Sequence, residues 1–448
     1  MEDLLVRSAQ LQQTVRDFVY ETEGDVATAL EQYSAEQLAR SPKFQFQGNQ
    51  QMQWLLTRFI FEGDVTGQKL YQHFAEQTST LEERDRSLLK NWQRSFPGLF
   101  VVIEAKQNQF ELMNWLTAKR YSVQLNPLLD NRQIARITPD EILLSYLQPV
   151  DAENWMFATE PMLLGKLGKP KLAVAVGNFK HDFPDSIYGD APELLEEAWQ
   201  SVESYYQEFI DFFGGNQITM PGHQFGQKLQ EFQKFITEKR LAAAGLEPGQ
   251  TLDDLAEKAN ISKEELLENI EDMGLAPAAA EKVFAQNARS QTQMTTPTVQ
   301  LPDALKRSQR LTVLVHPRWG QVFLPDFEDF VEILQNPEQY ASPTAGKLVQ
   351  HYLKDETVST FVWHHLASLY PNNLETLLRT VLERSDFNLS RDLDSLLAEF
   401  HKPLKPTLPE IASVPLHLHQ LFEAALTEVY QTKKKAKKKP AAIKGFGS

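Results

Sequence analysis

Apolar residues recur at helical spacing through the first part of the chain. Leu4, Leu11 and Val15 lie seven and four residues apart, a spacing that places side chains on one face of a helix. This pattern predicts a helical region over residues 1–96. Further helices within it are predicted over residues 25–40, around Trp54 and over residues 79–96.

The pattern changes at Pro97-Gly98, where short apolar runs begin to alternate with turn residues. Runs of this length, rich in Val, Ile, Phe and Tyr, predict strands. Several such strands close together indicate a small antiparallel sheet or barrel, which we assign to residues 97–180. The candidate strands are residues 99–103, 110–116, 121–125, 143–147, 155–157 and 172–176.

The rest of the chain has a mostly helical pattern. A helical middle region is predicted over residues 181–287, and a polar, proline-containing linker over residues 288–303. A mostly helical C-terminal domain follows over residues 304–430, and its last helix is predicted to end near Tyr430. Its strand pair is predicted at residues 311–315 and 321–324, and its other helices at residues 326–335, 344–354, 358–369, 373–385 and 391–401.

Together these segments predict an α+β protein. It has N-terminal helices with a small antiparallel β domain, a helical middle region, a mostly helical C-terminal domain and a disordered basic tail. We place the tail at residues 431–448, because a lysine-rich segment cannot bury enough apolar surface to fold by itself.

Charge is divided unevenly along the chain. The 448 residues carry a net charge of −15. Without the seven lysines of residues 433–448 the charge falls to −22, since 38 Lys and Arg then face 60 Asp and Glu. An acidic body repels phosphate backbones, so any contact with nucleic acid is expected at the tail alone.

The chain contains no cysteine, which excludes disulfides, thiolate metal sites and cysteine nucleophiles. The first residues lack the charged and apolar regions of a secretory signal, and no apolar run approaches the roughly 18 residues that a membrane helix needs. We therefore expect a soluble, cytoplasmic protein without a transmembrane segment. No cofactor is predicted.

The basic tail is the strongest candidate for partner binding. Clustered lysines attract RNA, anionic lipid or an acidic protein surface, and Phe446 between two glycines can act as an apolar anchor. A solvated tail that only raises solubility, or a tail that folds back on the acidic body, is the alternative. The predicted partner-binding residues are Lys433, Lys434, Lys435, Lys437, Lys438, Lys439, Lys444 and Phe446.

Residues 251–274 have the spacing of two short helices joined by a turn, as in a DNA-binding helix-turn-helix. The segment carries eight acidic residues and two lysines. A recognition helix of that charge is repelled by phosphates, so we favour a structural or protein-binding module over sequence-specific DNA binding.

Three further clusters have both a functional and a structural interpretation. The histidine pairs His364-His365 and His417/His419 are candidate metal ligands, but neither has the spacing of a helical zinc motif, so we predict no metal site. The acids of the loop over residues 181–190 are expected to act as caps. Arg318 beside Trp319 is expected in a hairpin whose aromatic ring packs onto the domain.

Residues 52–165 resemble a segment of uncharacterised bacterial proteins that often carry a SEC-C motif. The stretches that carry the likeness are residues 54–61 with 70–74, residues 81–89, and residues 98–104 with 116–123. The resemblance implies a helical lead-in and a small β domain, with no known activity. Zinc binding by the cysteine-rich SEC-C element cannot be transferred to a chain without cysteine. The ending Lys444-Gly445-Phe446-Gly447 is similar to tails of cyanobacterial and chloroplast proteins.

Three functions are consistent with these features. The leading hypothesis is a non-enzymatic interaction or assembly factor that docks on a protein or ribonucleoprotein partner through its basic tail. The second is an RNA- or ribosome-associated protein. The third is a hydrolase or transferase whose site is assembled from distant residues such as His181, Asp182 and Asp185. No catalytic residue is assigned.

Overall fold

The chain folds into two compact units, of which unit 1 comprises Met1–Leu195 with His417–Ser448 and unit 2 comprises Glu196–Leu416. Both units combine helices and strands, so the predicted α+β class is confirmed. The boundaries of the six predicted regions stay predictions, and residues 251–274 lie outside the described part of the chain. This computed structural model describes residues 2–39, 42–46, 49–106, 108–129, 134, 136–243 and 294–437.

Unit 1 opens with five helices, in the region that the apolar spacing predicts to be helical. A short ribbon of β1 (Asp64–Val65) and β2 (Gln68–Lys69) precedes the fourth of them. The core of this region is aromatic and aliphatic, and Phe59 and Ile60 are fully buried in it. The helices are α1 (Glu2–Glu21), α2 (Asp25–Ala39), α3 (Asn49–Glu62), α4 (Leu70–Gln77) and α5 (Glu83–Asn91).

Six strands follow, and five of them coincide with predicted strands. The sixth, β8, is short and only partly buried, and its apolar pattern is too brief to predict. The strands are β3 (Phe96–Ala105), β4 (Gln109–Asn114), β5 (Arg120–Gln124), β6 (Ile142–Pro149), β7 (Asn154–Phe157) and β8 (Met162–Gly165).

Strands β3 to β7 form a closed ring. Hydrogen bonds run in the order β3-β4-β5-β7-β6, and β6 pairs with β3 to complete the circle. Strand β8 pairs with the first residues of β6, on the edge that β7 occupies further along. All pairs are antiparallel except β5 with β7, which is parallel. The predicted antiparallel sheet or barrel is therefore a small barrel with one parallel pair.

Strand β3 closes the barrel because it is long enough to pair with two neighbouring strands. Its first part, from Phe96 to Val101, pairs with β6, and its second part, from Phe100 to Ala105, pairs with β4. The register with β4 shifts between Val102 and Glu104, and such a bulge bends a strand. The strand therefore bends close to the residues at which its hydrogen-bonding partner changes from β6 to β4.

The barrel interior is filled by large side chains that alternate along each strand. Phe110 and Leu112 of β4, and Tyr121 and Val123 of β5, point inward and are buried. The ring of Phe100 has its centroid 6.0 Å from that of Phe96 and 5.9 Å from that of Tyr121. A closed interior of this size is a packed core.

Helix α1 packs on the barrel through buried hydrogen bonds as well as apolar contact. The Gln12 amide donates to the carbonyl of Ala158 at 2.6 Å and accepts from Asn126 at 3.2 Å. Gln148 donates to the hydroxyl of Ser8 at 2.9 Å. Because a buried polar group without a partner is costly, these pairs fix the position of the helix on the barrel.

Residues 172–176, predicted as a strand, are helical. They belong to α6 (Lys169–Asp182), whose buried residues are Leu172, Ala175, Val176 and Phe179. That spacing is helical, and Val174 in the middle of the run is 63% exposed. All five residues of the run are apolar, so the run by itself shows no helical period. The helical spacing becomes visible only when Phe179, which follows the run, is included.

Unit 2 contains a three-stranded antiparallel sheet. Its order is β12-β11-β9, with β9 (Gln217–Met220), β11 (Leu311–His316) and β12 (Gly320–Leu324). The pair β11–β12 confirms the predicted hairpin, whereas β9 was not predicted. Two long helices flank β9 in sequence, α7 (Pro192–Phe213) and α8 (Gly222–Ala243).

The remaining helices of unit 2 lie within a few residues of their predicted positions. Their core is built around Trp363, Tyr352 and Phe330, whose rings meet edge-on or tilted at centroid distances of 4.7–6.3 Å. Other elements of this unit are β10 (Met294–Thr295), α9 (Asp303–Lys306), α10 (Phe327–Gln335), α11 (Pro343–Lys354), α12 (Thr360–Leu369), α13 (Pro371–Leu382), α14 (Leu389–Glu399) and β13 (Val414–Pro415).

Barrel closure depends on a glycine at position 98. A Cβ atom added there would lie 2.4 Å from the ring of Phe100, which is fully buried and cannot move aside. We expect Gly98→Ala to lower the free energy of unfolding by about 1–3 kcal/mol, as overpacking does in other cores. Urea denaturation of the full chain, followed by circular dichroism, measures this change.

The control for this substitution is Gly177→Ala. Gly177 lies in α6 with open space around its would-be Cβ, so alanine is expected to raise stability by up to about 1 kcal/mol through helix propensity. Equal stability changes in the two variants would contradict the proposed role of Gly98.

Candidate functional site

The last helix, α15 (Leu416–Lys437), carries the predicted partner-binding segment. Lys433, Lys434, Lys435 and Lys437 belong to its final turns. The helix therefore ends seven residues beyond the predicted Tyr430, and residues 431–437 are helical where disorder was expected. Predicted site residues outside the described part of the chain are Lys438, Lys439, Lys444 and Phe446.

Elementary helix energetics explains this correction. Lysine and alanine are good helix formers, and no proline interrupts the sequence before Pro440. Cations at the end of a helix also interact favourably with the negative end of its dipole. Composition alone predicts disorder for such a segment, but a helix already nucleated by packing needs only propagation.

The first three turns of α15 anchor it to unit 1. Leu418, Leu421 and Ala425 are buried at helical spacing. His417 Nε2 lies 2.7 Å from the carbonyl oxygen of Trp115, and burial lowers the pKa of His417, so the neutral ring donates this hydrogen bond. Lys180 Nζ lies 5.9 Å from the ring centroid of Phe422.

Beyond Ala425 the described side chains of α15 are exposed. Leu426 is 59% exposed and Val429 38% exposed, which is unusual for large apolar residues in a helix that packs well at its start. Twelve further residues extend from Ala425 to Lys437, about 18 Å of helix. We call residues 426–437 the arm.

The histidine pairs do not assemble into a metal site. His365 Nε2 lies 2.8 Å from the amide oxygen of Gln217, and His364 Nε2 lies 3.0 Å from Asp394. His419 Nε2 lies 3.4 Å from Glu423. Among the described residues there is no group of three or more His, Asp or Glu able to hold a metal ion.

The acids of residues 181–190 serve separate structural roles. The Asp182 carboxylate accepts the backbone N–H groups of Lys43 and Phe44 at 2.9 and 2.8 Å, which holds the loop of residues 42–46 on the end of α6. Asp185 is exposed. The Asp190 carboxylate accepts from Asn114 at 3.3 Å and from Thr117 at 3.2 Å.

Arg318 stacks on a tryptophan that is distant from it in sequence. Its guanidinium carbon lies 4.5 Å from the ring centroid of Trp199, a cation–π contact that sequence proximity to Trp319 did not predict. Trp319 itself is partly buried against the core of unit 2. The predicted packing of this aromatic onto its domain is confirmed.

A cavity of about 290 Å³ in unit 1 was not predicted. It lies between α2, α3, the loop of residues 42–46 and the end of α6, and it is lined by Phe44, Phe46, Trp54, Arg58 and Phe183, among others. Its lining comes from four separate segments. No local motif signals such a site, although the aromatic content of residues 44–61 is a weak indication.

The chain was compared with protein-family models, curated proteins and solved structures, and no match was found. The resemblance to proteins with SEC-C motifs therefore stays a prediction. Among the helices that the structure describes, none is long and apolar enough to cross a membrane.

Asp190 allows a test of this part of unit 1. Burial raises its pKa to about 6, while Lys119, Thr117 and Asn114 act in the opposite direction. The folded protein therefore holds this proton up to a higher pH than the unfolded chain does, so the stability of the fold falls as pH rises from about 4 through 6.

We expect Asp190→Asn to remove the loss of stability that accompanies ionisation of Asp190 as pH rises. The variant should be more stable than the native chain by about 1–3 kcal/mol at pH 8 and should differ little at pH 4, because the native carboxyl is then already neutral. Urea unfolding at several pH values measures the difference. Parallel stability profiles of the two proteins would contradict the raised pKa.

Proposed function

We propose that this protein is a non-enzymatic interaction or assembly factor that docks on an acidic protein partner through the arm and the lysines that follow it. The observation that carries the proposal is the construction of α15, whose side chains are buried at Leu418, Leu421 and Ala425 and exposed from Leu426 to Val429. Such a helix holds its basic end away from its own anchor. The cysteine-free composition suits a reducing compartment, and we propose the cytoplasm.

Two physical properties of the arm favour binding over simple solubility. A helix presents charges at fixed positions, so less conformational entropy is lost on binding than with a flexible tail. Leu426 and Val429 expose apolar surface beside the basic segment, and apolar contact adds affinity that charge alone does not provide. The acidic remainder of the chain offers no comparable attraction to an acidic partner.

Association with RNA is a second candidate. The observation that favours it is the closed five-stranded barrel, because barrels of the OB type bind oligonucleotides on a strand face. This argument is an analogy of architecture. Arg120 of β5 is paired with Glu111 at 3.1 Å, and Lys106, which directly follows β3, is paired with Glu104 at 3.0 Å. Both pairings weaken the attraction of these cations for phosphate.

Replacing the lysines tests the docking role directly. We expect a variant with glutamine at Lys433, Lys434, Lys435, Lys437, Lys438 and Lys439 to lose its partner in affinity purification followed by mass spectrometry. The matched control places arginine at the same six positions, which keeps both the charge and the helix propensity. Recovery of the same partner by both variants would contradict the proposal that the lysines of the arm bind it.

The same purification, repeated after nuclease treatment and over a range of salt, separates the two candidates. A protein partner is retained after nuclease treatment. An RNA partner is lost with nuclease, and its affinity falls steeply with salt because bound lysines release counterions from the phosphates.

Breaking the helix tests whether rigidity matters. Thr427→Pro removes a backbone donor inside α15 and leaves every lysine in place. We expect partner affinity to fall about tenfold or more. Circular dichroism verifies that the rest of the chain keeps its fold, because the proline ring meets the carbonyl of Glu423 in the anchored turns. Unchanged affinity would mean that charge acts without the helix. Thr427→Ala is the control.

A further inference from the structure

We propose that the aromatic cavity of unit 1 binds a planar heteroaromatic ligand of the purine or pyrimidine class, with a hydrogen-bond acceptor on its ring. The cavity is independent of the arm and of the partner proposed for it. The aromatic walls, the polar groups and the charges of the cavity each restrict the chemical class of ligand that can bind.

The walls favour a flat ring. The ring centroids of Phe46 and Trp54 are 4.9 Å apart at an interplanar angle of 30°, and Phe183 meets Trp54 edge-on at 6.1 Å. Aromatic faces stack on any π-system, and this contact is worth more than burial alone. Phe46 is partly exposed and Leu38 is 51% exposed, so the cavity is open to solvent on their side.

Arg58 supplies hydrogen-bond donors to the cavity. Its Nε and Nη2 atoms donate to Glu62 at 3.0 and 2.8 Å, and its Nη1 atom donates to Gln37 at 2.9 Å. A guanidinium group has five N–H donors, so two remain without a hydrogen bond to the described residues. The group also stacks on Phe183, with its carbon 4.9 Å from the ring centroid.

Glutamine side chains complete the polar lining. Gln37, Gln45 and Gln51 all line the cavity. The Gln37 amide oxygen accepts from Arg58, whereas the amides of Gln45 and Gln51 each offer both a donor and an acceptor. A ring that carries both carbonyl or imine acceptors and N–H donors matches this set. Gln45 and Gln51 are exposed at the opening of the cavity, so a polar ring can hydrogen-bond to them there, a contact that a hydrocarbon ligand cannot make.

The charges of the cavity favour an uncharged ligand. Arg58 is neutralised by Glu62, and the Asp182 carboxylate at the edge is satisfied by two backbone N–H groups. No uncompensated cation among the described lining residues is available for a phosphate. A volume of about 290 Å³ lies at the lower end of ligand pockets and suits a base or nucleoside.

The test uses the full chain with adenosine, guanosine, cytidine and uridine as probes. Binding is followed by isothermal titration calorimetry and by saturation-transfer NMR of the base protons. We expect at least one nucleoside to bind with a Kd below about 1 mM, which corresponds to about 4 kcal/mol. Comparison probes are cyclohexanol, which lacks a π-system, and N-acetylphenylalanine amide, which represents an aromatic residue of a partner peptide.

Phe46→Leu removes the stacking ring and keeps an apolar side chain at a partly exposed position. We expect it to weaken nucleoside binding about tenfold, the usual range for loss of one stacking contact. The control is Phe212→Leu in unit 2, where a half-buried ring packs on Phe213 and Phe232, and none of these three residues lines the cavity. Circular dichroism of both variants verifies that they fold.

Several outcomes would overturn the proposal. One is the absence of nucleoside binding at millimolar concentration. Another is equal weakening by Phe46→Leu and Phe212→Leu. Tighter binding of N-acetylphenylalanine amide than of any nucleoside would assign the cavity to a peptide, and equal binding of cyclohexanol would reduce it to a nonspecific apolar site.

Discussion

The double pairing of β3 is the constraint on which the architecture of unit 1 depends. Phe100 and Val101 hydrogen-bond within two ladders at once, to β4 on one side and to β6 on the other. This shared segment turns a meandering sheet into a closed ring of five strands, and closure pairs the edges of β3 and β6 that would otherwise be open to other chains. Gly98, in the part of β3 that pairs with β6, leaves room for the ring of Phe100, which occupies the space that a larger residue needs.

The two proposed binding sites depend on different kinds of interaction. The cavity is built from aromatic rings and a compensated ion pair, so it selects by shape and hydrogen bonding. The arm relies on charge and on helical presentation, and its contacts are sensitive to salt. Both are attached to the elements of unit 1, the cavity through α2, α3 and α6, and the arm through the buried turns of α15.

Local sequence patterns predicted the helices and strands better than they predicted which strands pair with each other. Runs such as residues 99–103 and 143–147 identified strands correctly, because burial on one face leaves a clear apolar signal. The pairing of Leu99 with Leu144 depends on contacts 45 residues apart and leaves no such signal. The run at residues 172–176 misled because Val174 is apolar and yet exposed. The cavity could not be predicted, since Arg58 and Phe183 meet only in the folded chain.

Unit 1 is assembled from two stretches of sequence, because α15 returns to it after the whole of unit 2. On the ribosome, the 221 residues of Glu196–Leu416 are synthesised before the returning helix appears. At about 5–20 residues per second this interval lasts roughly ten to forty seconds. During that time the surface that Leu418 and Leu421 later cover faces water, so a nascent chain is more exposed to chaperones and to aggregation than the finished protein.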